Sequence, residues 1–206
     1  MPRNVCGGLL LAALVALPAG TVVAQETGTP MFKAPYRAFT SHEFGAAFSD
    51  PGEGVSFALE GFYSYGRESN DFGFRAGLAD PEGPGDTRLL LGGNFRTRVL
   101  NYSDAFPLDG ALTVGAGINL GDGDDLFYIP VGVSFGRRFE LEGSRTTFTP
   151  YAHPVLVPVL GASGGDDVGV ALGLGVDLRF SQNFSLRVSG GIGDIEGVGV
   201  GLTYVR

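Results

Sequence analysis

From Val55 to Val205 the chain alternates apolar with small or polar residues, in short segments separated by little more than turns. Val168–Phe180 is the clearest such run. One set is Val168, Val170, Leu172, Leu174, Val176, Leu178 and Phe180. The other is Gly169, Ala171, Gly173, Gly175, Asp177 and Arg179. A period of two sends these sets to opposite faces of a strand. One face is unbroken hydrocarbon; the other mixes glycine with charge. The pattern predicts strands that meet lipid outside and a polar interior inside, which is a transmembrane β-barrel.

The N-terminus reads as a leader for export. Arg3 supplies the positive start, Leu9–Leu17 the apolar stretch and Val22-Val23-Ala24 small residues for cleavage after Ala24. The stretch is shorter than the roughly 20 residues a helical span needs. Cys6 precedes it and so is not a lipobox cysteine; residues 25–206 hold no cysteine. The expected organisation is a signal peptide at 1–24, a periplasmic tail or plug at 25–40 and a barrel at 41–206. A net charge of −8 argues against nucleic acid, which calls for a basic surface.

Ten segments carry strand character: roughly 41–49, 54–65, 71–79, 87–100, 110–120, 126–139, 147–160, 168–180, 184–193 and 197–205. The first is the weakest. The seventh holds Pro150, Pro154 and Pro158, which are unusual inside a paired strand and predict a bulge or partial loop there. Losing those two segments would leave eight, so the fold class is an all-β antiparallel barrel of eight to ten strands.

Together with the leader, the Gly-rich alternation and the final segment Gly197–Arg206, with Tyr204 near its end, resemble the small outer-membrane β-barrel protein family. The resemblance covers about residues 41–206. It implies residence in the cell outer membrane as a monomer in contact with lipid and surface glycolipid. That family includes anchors, adhesion-related barrels, narrow pores and a few enzymes, so fold alone does not name the role.

Two constellations carry possible chemistry. With both ends of the barrel chain on the periplasmic side, alternate connections are extracellular. They hold Asp50 and Glu53; Asp80, Glu82 and Asp86; Asp122, Asp124 and Asp125; Asp166 and Asp167; Asp194 and Glu196, with no Lys or Arg. Turn chemistry explains such residues. The sharper alternative is a carboxylate ring for Ca²⁺ or Mg²⁺, with Asp122, Asp124 and Asp125 as its best ligands. The second constellation faces inward: Glu60, Arg75, Arg88, Arg96, Arg98, Arg138, Asp177, Arg179 and Arg187. These side chains form either a salt-bridge network filling a narrow barrel or the lining of a pore.

Only His42 and His153 could serve as near-neutral acid–base groups, and no catalytic motif accompanies them. The expectation is a non-enzyme without a cofactor, structural or a narrow passive pore. A surface-binding barrel acting through acidic loops is the alternative, and a secreted soluble lipocalin-like binding protein the third. On the lipid-facing assignment, Leu172→Arg or Leu174→Arg is costly and Gly173→Ser far milder.

Overall fold

A computed structural model describes residues 26–35, 41–52, 54–103, 106–121, 125–161 and 167–206. The leader 1–24 and residues 36–40 lie outside the described residues. Twelve strand segments pair antiparallel: β1 Ser41–Asp50, β2 Val55–Arg67, β3 Asn70–Pro81, β4 Arg88–Leu100, β5 Asp109–Leu120, β6 Leu126–Tyr128, β7 Val131–Gly136, β8 Phe139–Glu140, β9 Thr147–Leu160, β10 Asp167–Arg179, β11 Phe184–Gly193 and β12 Val198–Val205. β6, β7 and β8 succeed one another along one stave, so the staves number ten. β1 pairs with both β2 and β12, Phe48 lying opposite Leu59 and Val200, and the sheet closes on itself. The weakest segment of the sequence is therefore the seam of the barrel.

The irregularity expected in the seventh segment belongs to the sixth. β9 runs unbroken and pairs with β10 along its length, from Val159↔Asp167 to Thr147↔Arg179. Its prolines turn their carbonyls toward the sixth stave: Ile129 N donates to Pro158 O at 3.0 Å and Arg137 N to Pro150 O at 3.3 Å. In an antiparallel ladder a residue's N–H and C=O project to the same side. The missing proline N–H groups therefore fall on this side too. The reciprocal bonds to Ile129 O and Arg137 O cannot form, and the stave is interrupted at those places. The register carries through: Tyr128 lies opposite Val159 and Val131 opposite Leu156.

The barrel is apolar outside; within, buried charged and polar side chains stand beside an apolar cluster that includes Tyr128, Val155, Val157 and Val159. Phe74, Ile192 and Val198 are each more than 60% exposed, whereas Glu60 is 2% and Arg75 5% exposed. A soluble lipocalin-like barrel would place these sets the other way round. Aromatic side chains gather on the outer face near the chain's two barrel ends. They pair as Phe44–Tyr63, Phe72–Phe95, Phe139–Phe148 and Phe180–Phe184–Tyr204. His42 joins this belt, its Nδ1 2.8 Å from Tyr63 Oη. The arrangement has the form of the aromatic girdle at a membrane–water boundary. The opposite rim carries the acidic connections.

Candidate functional site

Alternation sends one side chain in two toward the barrel axis, and the lumen these side chains line is occupied. Every residue from Glu26 to Pro35 is buried. The segment makes one lap of the inner wall. It starts against β4 and β5, where Asn94 Nδ2 donates to Glu26 Oε1. Thr27 and Thr29 then donate to the two oxygens of Glu60 on β2, each at 2.6 Å. Pro30 reaches Ser189 on β11, Phe32 reaches Tyr151 on β9, and Lys33 reaches Ser134 on β7. Lys33 Nζ lies 3.4 Å from Glu26 Oε1 and closes the ring.

Inward glycines make room for this lap. A Cβ at Gly117 would collide with the Glu26 carbonyl, one at Gly173 with the Phe32 ring, and one at Gly199 with the Met31 sulfur. The strand pattern makes Gly173→Ser mild for insertion, but the plug feels it, because a Cβ there meets the Phe32 ring. The inward face at this point is a seat for Phe32 and not open space. The substitution is expected to loosen the plug by about 1–3 kcal/mol, the range for overpacking, while the barrel stays closed. Proteolysis within residues 26–35 of a heat-modifiable barrel checks this.

Arg75, Arg96 and Arg187 on the wall each stand beside a carboxylate. Arg75 Nη1 stands 3.6 Å from Glu60 Oε2, with both side chains almost wholly buried. The same guanidinium donates to Thr29 Oγ1 at 3.3 Å and Met31 O at 3.4 Å. Glu60 therefore accepts from two hydroxyls beside a cation, the kind of satisfaction a buried ion needs. Arg96 Nε donates to Asp71 Oδ2 at 2.7 Å and its Nη1 donates to Ala34 O. Arg187 grips Asp177 with two bonds of 2.7 and 3.0 Å and lies 3.8 Å from Glu43. Arg88 donates to Asn119 Oδ1 at 2.6 Å, and Arg98 donates to Asn101 Oδ1 at 3.0 Å. Arg179 Nε donates to Ser181 O at 3.2 Å. Arg138 lines a cavity of about 60 Å³ at the end near the termini, with Arg96, Arg179, Arg187, Glu43 and Asp177.

His153 also faces inward and is 3% exposed. Thr113 Oγ1 donates to Gly132 O at 3.2 Å, which leaves it to accept from His153 Nε2 at 2.7 Å. The ring stands edge-on to Phe32 at 5.8 Å between centroids. It is thus part of the wall around the plug.

On the acidic rim, Asp122 and Asp124 lie outside the described residues, and Asp125 is exposed. Among the described residues no group of three or more His, Cys, Asp or Glu side chains is placed to hold a metal ion. Three rim carboxylates bond backbone instead: Asp50 accepts from Gly52 N, Asp167 from Val168 N and Asp194 from Val170 N, at 3.1, 2.7 and 2.7 Å. That is the turn chemistry short polar side chains supply.

Residues that single-strand reasoning did not single out are Asp71, Asn94, Thr113, Ser134, Tyr151 and Ser189. All occupy inward positions, so the period of two marks them as wall. Nothing in their own segments marks them as partners of residues 26–35.

No family model matches the chain, and no curated protein does. Among solved structures, a transmembrane β-barrel from de novo design aligns with 82% of this chain and 98% of its own, at 16% identity and a TM-score of 0.40. A bacterial polysaccharide outer membrane secretin aligns with 73% of this chain and 56% of its own, at 11% identity and a TM-score of 0.41.

Proposed function

We propose that this is an outer-membrane β-barrel whose resting lumen is shut by its own N-terminal segment, and that its role is structural rather than that of an open passive pore. The occupied lumen carries this reading: ten consecutive buried residues stand where a permeating solute would have to pass. An exterior of Phe, Leu, Val and Ile is suited to acyl chains. Water inside is replaced by hydroxyls, amides and paired ions. The aromatic belt sits at the periplasmic boundary and the acidic rim at the cell surface, where carboxylates keep the connections hydrated.

Outer-membrane fractionation, gel migration and planar-bilayer recording test this together. The unheated protein is expected to migrate differently from the heated one, because a closed barrel resists detergent. Incorporated wild type is expected to give no steady conductance. Recovery in a soluble fraction would sink the membrane reading; a steady open level would sink the shut lumen.

A further inference from the structure

The bonds between wall and plug follow a rule that goes beyond filling space. Ser189 Oγ donates to Pro30 O at 2.6 Å, Arg75 Nη2 to Met31 O at 3.4 Å, Tyr151 Oη to Phe32 O at 2.9 Å and Ser134 Oγ to Lys33 O at 2.6 Å. Arg96 Nη1 donates to Ala34 O. Five consecutive main-chain carbonyls thus each accept from a different stave. Ser189 Oγ also accepts from Phe32 N at 3.2 Å, so one side chain bridges two backbone positions.

Part of the contact is apolar, with Phe32 and Ala34 packed among Tyr128, Val155, Val157 and Val159. Beside that cluster the wall presents hydroxyls and guanidinium groups placed to meet the main chain of residues 30–34. The plug makes no strand pairing with the barrel; the barrel's side chains do what a neighbouring strand does in sheet-edge recognition. Backbone contacts supply the attachment, and glycine seats at Gly173 and Gly199 supply the fit for Phe32 and Met31.

We propose that the lumen is a peptide-binding site that reads main-chain carbonyls, and that residues 26–35 are its resident, exchangeable ligand. Resting on the membrane-barrel reading, this makes the barrel a gate: the plug leaves as a unit and returns to the same donors. Belonging to the same chain keeps it at high effective concentration, so the closed state dominates.

The test uses the full chain. A Cβ at Gly199 would stand 3.2 Å from Met31 Cγ, within disulfide reach. The pair Met31→Cys and Gly199→Cys therefore locks the plug when oxidised. With Cys6→Ser in the background, the chain carries no competing cysteine. Under reducing conditions the double variant is expected to show intermittent openings in bilayers. A synthetic peptide of the sequence of residues 26–35 should shorten them, and a scrambled peptide should not. Oxidation should abolish the openings.

A second measurement does not depend on that disulfide. Met31→Cys alone reports plug departure through its rate of reaction with a water-soluble maleimide. Adding Tyr151→Phe and Ser189→Ala removes two carbonyl donors and should raise that rate about tenfold, in keeping with two lost hydrogen bonds. Openings that survive oxidation, a reduced form that never opens, equal block by the scrambled peptide or an unchanged labelling rate would each overturn the proposal. Heat-modifiable migration of the same variants reports the barrel separately. Its loss would count against the membrane-barrel reading and not against the carbonyl site.

Discussion

Arg75→Glu is expected to lower stability by about 3–5 kcal/mol, the range for breaking a buried ion pair. The substitution puts a second carboxylate opposite Glu60, which already accepts from Thr27 and Thr29 at 2.6 Å and lies 3.6 Å from the guanidinium. Two carboxylates cannot both ionise in so dry a site, so one must hold a proton or the plug must leave to admit water. The expected result is a lower midpoint in urea together with protease access to residues 26–35. Replacing both partners, as Glu60→Gln with Arg75→Met, should cost much less, because no uncompensated charge remains. A mutant of unchanged stability that merely passes cations in place of anions would mean that the lumen is hydrated and the plug is not its filling.

Leu174→Arg acts on the other face. Leu174 is 43% exposed on the outer side of β10, between Ala152 of β9 and Gly190 of β11. A guanidinium near the bilayer midplane costs about 2–4 kcal/mol in such barrels. The expected result is a matching loss in the free energy of folding into vesicles, with normal plug protection in the molecules that do insert. Gly173→Ser, one residue away, should give the converse: near-normal insertion and a loosened plug. The two neighbours thus separate by which property fails. Equal insertion defects in both would mean that the faces of β10 are misassigned.

Nearly all of the barrel was legible in the sequence, because its cause is local. Alternation in Val168–Phe180 states which residues face lipid without reference to any other segment, and the segment bounds differ from the strands by a few residues at most. The break at 129–130 had a mark in its own stave, Pro130, which has no N–H to return the bond that Gly115 N makes to its carbonyl. Pro158, on the neighbouring strand, removes a second donor across the ladder. The inward arginines were readable by parity, and so was the nearness of Glu60 to Arg75. The plug's docking was not. Residues 26–35 are short, irregular and without periodicity, and their anchors are single side chains on separate staves. The acidic rim was legible as composition, yet composition does not say that Asp50, Asp167 and Asp194 spend their oxygens on backbone amides.

The lap of residues 26–35 has a consequence for how the molecule comes together. Their anchors lie far along the chain: Arg75 is 44 residues from Met31, Tyr151 is 119 from Phe32 and Ser189 is 159 from Pro30. The segment made early is satisfied late, when β11 and β12 arrive and the seam with β1 closes. Until then the Pro30 carbonyl lacks the Ser189 hydroxyl that satisfies it. Docking of the segment therefore rests on contacts of high sequence separation, which form slowly. The barrel is wound around residues 26–35, and the pairing of β12 with β1 completes the wall around them.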